Sequence, residues 1–182
     1  MGRLAYSAIA SLDGYIADER GRWDWSFPTP EVHAFVNDLT RSARTHLYGR
    51  RLYEVLVAWE TMDDPAPEMQ DYAQLWRAAE KVVYSTTLQE VSSARTRIER
   101  TFEPDAVRAI KERGDAAIGG AGLAAEALRA GLVDDVQLLL SPVIVGGGTR
   151  ALPDGVRLDL ELADERRFGN GAVLLAYRTA QS

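Results

Sequence analysis

Three short segments carry residue types that can hold an anionic ligand: Gly49-Arg50-Arg51, Ser85-Thr86-Thr87 and Gly119-Gly120-Ala121-Gly122. Glycine lets a backbone approach a diphosphate closely, and the free N–H groups at the start of a helix point at an anion. Arg, Ser and Thr side chains add charge-assisted hydrogen bonds. Each segment also has a plainer use. The glycine run could be the tight turn of any strand-to-helix connection, the Arg pair a solvated helix start, and the Ser-Thr-Thr run a strand end or helix cap. Arginine at a helix start opposes the helix dipole, and so invites an anion.

Several other solutions are absent. No G-x-G-x-x-G follows the first apolar stretch and no G-x-x-x-x-G-K-[ST] occurs, so neither the Rossmann fingerprint nor a P-loop accounts for the three segments. There is no G-x-S-x-G. The lack of cysteine excludes disulfides, zinc-thiolate sites, iron–sulfur clusters and thiol catalysis. His33 and His46 stand apart, without a carboxylate pair at ligand spacing, so no metal site is expected. Redox chemistry in this chain therefore needs a bound cofactor.

Strands and helices must position these segments, and the sequence alternates the two. Residues 3–11 alternate imperfectly between apolar and polar and stop at Asp13-Gly14, which reads as a strand and a turn. Residues 23–30 hold two Trp, a Phe and two Pro without period and read as a loop. Pro30 suits the first turn of a helix whose apolar face, Val32, Phe35, Val36 and Leu39, extends to about residue 44. Strand composition returns at 46–48, 81–85, more weakly at 96–99, and at 116–118. Helical spacing occupies 51–59, 69–79, 104–113 and 123–130. Residues 136–145 are a long apolar run containing Pro142, followed by Gly146-Gly147-Gly148. Residues 158–167 and 172–178 read as a hairpin, with Asn170-Gly171 as a tight primed turn. The pattern predicts an α/β fold with a mainly parallel sheet flanked by helices and an antiparallel C-terminal hairpin. In such sheets ligands bind beyond the carboxyl ends of the strands.

Composition sets outer bounds. The 182 residues, 46% hydrophobic and 26% charged, suit one globular domain spanning 1–182. The net charge of -6, without a Lys/Arg block, makes nucleic acid and anionic membrane poor partners. No apolar run approaches the roughly 20 residues of a membrane helix, and the first residues lack a leader-like apolar core. A cytoplasmic protein is expected.

Four stretches in order resemble the dihydrofolate reductase-like superfamily. They are Ser11-Leu12-Asp13-Gly14-Tyr15-Ile16-Ala17, Gly49-Arg50-Arg51-Leu52-Tyr53-Glu54, Tyr84-Ser85-Thr86-Thr87-Leu88 and Ile118-Gly119-Gly120-Ala121-Gly122-Leu123. The last continues through Gly131-Leu132-Val133-Asp134-Asp135 to Pro142-Val143-Ile144-Val145-Gly146. The Ser-Leu-Asp-Gly opening and the Gly-Leu-Val-Asp-Asp stretch are similar to the riboflavin-biosynthesis reductase branch, the C-terminal domain of the bifunctional deaminase-reductase. The resemblance implies a sheet of about eight strands and an NADPH site. Gly49, Arg50 and Arg51 would then lie near the adenosine 2′-phosphate and the diphosphate, and Ser85 and Thr86 would close the adenosine side. Gly119, Gly120, Ala121 and Gly122 would admit the diphosphate and nicotinamide. Asp13 would face the substrate pocket, or serve only as an Asp-Gly turn, and Gly146-Gly147-Gly148-Thr149 would form a nearby loop.

The implied activity is NADPH-dependent hydride transfer to a small heterocycle. It resembles 5-amino-6-(5-phosphoribosylamino)uracil reductase or dihydrofolate reductase. Asp13, Glu31 or an ordered water would deliver the proton, and Trp25, with Trp23 and Phe27, could stack on the substrate or cover the core. Two departures stand out. Glu31 is offset from the acid that follows Trp-x-x-Pro in dihydrofolate reductases, and Ile118 stands where riboflavin reductases carry an acid. The competing expectation is a non-catalytic nucleotide- or drug-binding module on the same fold. The resemblance also implies a homodimer, for which residues 136–140 could serve either as interface or as a strand buried on both faces.

Overall fold

The apolar alternation that stops at Asp13-Gly14 becomes β1 (Leu4–Ser11), near the middle of an eight-stranded sheet in the computed structural model, which describes residues 1–180. After β2 (Tyr15–Ala17) and a single 3-10 turn (Asp24–Ser26), Pro30 opens α1 (Pro30–Thr40), whose first turn is capped by the Thr29 hydroxyl. The helix stops short of residue 44. Arg41 is drawn to Asp38 and Asp71, and Arg44 N–H bonds Asp115 O to lead into β3 (Thr45–Gly49).

α2 (Arg50–Leu56) follows immediately and tightens into a 3-10 turn (Val57–Glu60). Proline again supplies the first turn of α3 (Pro67–Ala78) and of α4 (Pro104–Glu112), which flank β4 (Glu80–Tyr84) and β5 (Thr96–Glu99). β6 (Ala116–Gly119) runs into α5 (Ala121–Arg129) and then β7 (Asp135–Ser141). The short β8 (Thr149–Arg150) precedes β9 (Leu160–Arg167) and β10 (Val173–Thr179).

The strand order is β5-β4-β3-β6-β1-β7-β10-β9, parallel except that β10 runs against β7 and β9. This is the predicted α/β sheet with its antiparallel edge. Parallel strands need cover on both faces, and helices provide it over the centre. α4 and α5 bury Leu4, Tyr6, Leu47 and Ile118 on one face. On the other, α1 packs on Leu139 and Leu174, while Trp76 of α3 joins Tyr48, Tyr53 and Val83.

One local expectation needs correction, and two features go beyond the sequence reading. The apolar run leaves the sheet at Ser141, because Pro142 has no N–H to give a ladder. The hairpin turn is not the primed two-residue type. Phe168 and Ala172 pair, Gly171 N–H returns to Phe168 O, and only Gly171, at φ 88, takes a positive angle. That is a three-residue loop ending in a left-handed glycine. β2 and β8, absent from the sequence reading, pair with each other outside the main sheet.

A buried polar cluster lies under α3. Lys81, fully buried, donates to the carbonyls of Trp76 and Ala79 at the end of that helix, and its ammonium sits 4.4 Å from the Trp76 ring centre. Beside it, His46 is 2.6 Å from the Tyr48 hydroxyl, and burial, assisted by the Lys81 charge, lowers its pKa to about 4. Folded His46 thus stays neutral where the unfolded chain, near 6.5, takes up a proton. Stability contributed here is complete above about pH 6.5 and is lost as pH falls toward 4, at about 1.4 kcal/mol per unit. His46→Gln should therefore flatten the loss of melting temperature between pH 7 and 5, and an unchanged slope would refute the assignment.

Candidate active site

The three segments from which an anion site was expected end adjacent strands. Gly49 is in register with Tyr84, and Tyr48 with Gly119, so the ends of β4, β3 and β6 lie side by side. Gly120 leaves β6 at φ 90 and serves as N-cap of α5, with no side chain capping the first turn. The amides of that turn consequently have no side-chain acceptor. A Cβ on Gly120 would lie 3.8 Å from Gly49 N, and one on Gly119 would meet Leu52 Cδ2 at 2.5 Å, so α2 and α5 begin as close neighbours.

A cleft of about 370 Å³ opens over the start of α5, lined by Ala121, Gly122, Ala125 and, from the opposite wall, Gly148, Thr149 and Arg150. Arg150 was missing from the sequence reading, which reached Thr149 only as the end of a loop near the site. The only signal for Arg150 was the glycine run before it, and what places both residues is the β2–β8 pairing of Ala17 with Thr149 and Tyr15 with Arg150. Gly148, at φ 128, approaches so closely that a Cβ would collide with the carbonyl of Ala17.

On the other side, Arg50 bonds Glu54 through Nε at 2.7 Å and Thr87 Oγ1 through a terminal nitrogen at 2.7 Å. Arg51 is exposed and makes no ion pair among the described residues. Ser85 uses its hydroxyl oxygen to cap its own turn, accepting from Leu88 N–H at 3.0 Å and Thr87 N–H at 3.3 Å. Thr86 projects to the exterior. Arg100, unremarkable in sequence, donates to the carbonyls of Ser85 and Leu88 and holds this turn in place.

The two carboxylates read as proton donors are otherwise engaged. Asp13 accepts from Gly146 N–H at 2.8 Å and Val145 N–H at 3.2 Å, tying the end of β1 to the loop before β8. The Ser11 hydroxyl first, then these two amides, hold its carboxyl below the usual carboxylate range. A group in that state has no proton to give near neutral pH. Glu31, on the first turn of α1, accepts from Gly169 N–H at 3.2 Å and lies 3.8 Å from Arg166, so it braces the β9–β10 turn.

Trp25 sits half-buried in the 3-10 turn, with its indole N–H enclosed and unpartnered among the described residues. Trp23 and Phe27 pair at 5.0 Å beside it in sequence, and Phe27 is 65% exposed. Neither Trp25 nor Glu31 lines the cleft at α5. No cluster of His, Asp and Glu suited to a metal occurs among the described residues.

Comparison with known proteins follows the same outline. Residues 3–174 match the RibD C-terminal domain family. The uncharacterized YyaP protein of Bacillus subtilis is 25% identical over 178 residues, covering 96% of this chain and 94% of its own. A Shewanella sp. PV-4 structure provisionally assigned to riboflavin biosynthesis superimposes with a TM-score of 0.76 at 21% identity, covering 98% and 99% of the two chains. A pyrimidine reductase-like protein of Corynebacterium diphtheriae gives 0.73 at 15% identity, with 100% and 93% covered. The deaminase/5-amino-6-(5-phosphoribosylamino)uracil reductase of Thermotoga maritima gives 0.66 at 18% identity; 98% of this chain matches 57% of that one.

The Asp13 clamp makes a specific prediction. Asp13→Ala should speed amide exchange at Val145 and Gly146 while leaving β7 protected. In the unaltered protein the clamp should hold at neutral pH and release only as acid protonates a carboxyl that titrates below its usual range. Unchanged exchange at both amides in the variant would remove the clamp.

Proposed function

The chain belongs to the RibD C-terminal domain family, and from that membership we propose that it is an NADPH-dependent reductase acting, as a cytoplasmic homodimer, on a small heterocyclic substrate. The observation that carries the reading is the uncapped start of α5, reached through Gly120 and facing a cleft whose far wall brings Thr149 and Arg150. These residues fit a dinucleotide diphosphate. Gly122 has nothing within 4 Å of where its Cβ would be, so a phosphate can approach the backbone there, and the helix start favours negative charge.

Arg51, exposed and without an acidic partner among the described residues, would take the 2′-phosphate, together with Gly49 and Arg50. Arg50 is oriented by Glu54 and Thr87, and Arg100 steadies the Ser85-Thr86 turn on the adenosine side. When bound, the cofactor supplies the hydride. The chain's task is to hold the acceptor heterocycle at the correct height and angle, a contribution of positioning. Asp13 serves by fixing the loop that carries Gly146 to Thr149 across the cleft. With Asp13 and Glu31 both held by backbone amides, the proton comes from water ordered at the site.

That same engagement of both carboxylates favours the second reading, a nucleotide-binding module without turnover. Anaerobic titration separates the two. NADPH binding followed by oxidation in the presence of a pterin or aminopyrimidine supports the reductase, whereas binding without oxidation across a broad panel supports the module.

Two variants test the cofactor site. Arg51→Ala should narrow the NADPH-over-NADH preference by roughly tenfold or more, the scale of one charge-assisted phosphate contact, and Arg50→Ala by less, since its guanidinium is already shared. Preference unchanged in both singles and the double variant would remove the arginines from the site. Gly120→Val adds a β-branched side chain at a positive φ and should abolish binding. A folded Gly120→Val protein with normal NADPH affinity would show that the diphosphate lies elsewhere.

A further inference from the structure

Two of the 21 basic side chains are lysine, Lys81 and Lys111, and the rest are arginine. Both lysines lie inside the fold, Lys81 at 0% and Lys111 at 5% exposure. This inverts the usual pattern, in which lysine is among the residues least often buried and its ammonium reaches for water. Neither takes part in the chemistry proposed for the cleft. A guanidinium stays protonated at neutral pH, so the exterior of the folded chain offers an acylating agent no side-chain amine.

Each ammonium joins backbone segments that must come together for the chain to fold. Lys81, on β4, donates at 2.9 Å to both Trp76 O and Ala79 O, where α3 ends and a cation is favoured. Trp76 beside it is fully buried with Tyr48, Tyr53 and Val83, so a reagent reaches the Lys81 nitrogen only when α3 lifts off the sheet. Burial pushes the Lys81 ammonium below the usual lysine range, so lack of access, not protonation, protects it. Lys111, on the last turn of α4, donates to Leu132 O at 3.0 Å and lies 2.7 Å from the Asp134 oxygen that also takes Leu4 N–H. Reaching it requires the turn between α5 and β7 to leave β1.

We propose that Lys81 and Lys111 are acylation sites open only in the unfolded chain, and that acylating them there prevents the chain from refolding. The reagent class is a small acyl donor, an acyl phosphate or a thioester. The unprotonated amine attacks the acyl carbon. An amide C–N bond forms as the C–O or C–S bond breaks, phosphate or thiol leaves, and the surplus proton passes to solvent. The product is uncharged and keeps one N–H where the ammonium had three. At Lys81 the two helix-end carbonyls lose their cation, and the added acyl group has no room at a residue with 0% exposure. At Lys111, Asp134 loses its buried counter-charge. The folded population thus resists reagents of this class, while unfolded chains are withdrawn from refolding.

The test is acetylation of the full chain by acetyl phosphate, in buffer and in guanidinium chloride, followed by peptide mass spectrometry. The amino terminus, on a Met1 that is 91% exposed, reports that the reagent is active in both. In buffer, Lys81 and Lys111 should react about a thousandfold or more slowly than in denaturant, the ratio set by the small unfolded fraction. Chains partly acetylated in denaturant and then diluted should divide on size exclusion into folded and unfolded fractions. Acetyl-Lys81 and acetyl-Lys111 should each be depleted about tenfold or more from the folded fraction, with terminal acetylation spread evenly. Acetylation of either lysine in buffer at close to its denatured rate would overturn the protection by folding. Equal acetyl-lysine in both fractions would overturn the block to refolding.

Discussion

At Gly120 the backbone takes φ 90 and ψ 121 between a strand and a helix, a conformation that L side chains rarely adopt and that costs glycine no steric strain. The direction of α5 follows from it. The helix starts at the strand end without a capping side chain, so its first amides are left facing the cleft rather than being satisfied within the fold. Gly119, one residue earlier, permits Leu52 of α2 to press against the strand where a Cβ would not fit. Two helix starts are thereby drawn to one point at the end of β3 and β6. A branched residue at either glycine would separate them, and with them the arginines of α2 from the amides of α5.

The cleft also needs its opposite wall held, and this is done through β1. At its start, Asp134 accepts from Leu4 N–H at 2.6 Å and lies 2.7 Å from the nearly buried Lys111 ammonium. At its end, Asp13 accepts from Val145 and Gly146. Both carboxylates connect β1 to the segments flanking β7, which fixes the register of the pair from both ends. Surface ion pairs contribute little to stability, but a carboxylate that collects backbone amides fixes geometry even where its net energy is modest. The clamp at Asp13 matters more for the site, because the loop it holds then pairs β8 with β2 and carries Thr149 and Arg150 over α5.

Much of this was legible in the sequence, because it depends on local rules. Proline at helix starts, apolar strands and glycine at junctions place nearly every element of the main sheet, and the ordered motifs give its topology. What escaped depends on contacts between distant residues. Tyr15–Ala17 and Thr149–Arg150 are too short to carry a period, and they exist as strands only because Asp13 and Gly148 bring them together. Asn170-Gly171 resembles a primed turn, yet Gly169 lengthens the loop by one residue and leaves a single left-handed angle at Gly171. The link from Arg50 to Thr87 spans two strand ends, and Arg100 reaches back to a turn twelve or more residues earlier. Asp13 and Glu31 were conspicuous as acids. Their backbone partners, 132 and 138 residues away, make them acceptors instead.

These placements bear on what a substrate can find at the far side of β1. Ile118, standing where the riboflavin reductases carry an acid, is 2% exposed and packed in the core, so it offers no charge. Glu31, already offset from the position used to hold a pterin, is taken up by Gly169 and Arg166. Arg166 is in turn stacked against Phe35 and Phe168, with its guanidinium carbon 4.8 and 4.9 Å from their ring centres. Moving Glu31 toward a ligand would break its bond to Gly169 and leave Arg166 without its acid. The carboxylate anchor of the folate enzymes therefore has no free counterpart at either position. The enclosed indole N–H of Trp25 has no acceptor among the described residues, and a buried donor of that kind is normally hydrogen-bonded. Trp23 and Phe27 pair alongside at 5.0 Å, and Phe27 stands 65% in solvent, so this side of the protein presents flat apolar surface in place of a free carboxylate.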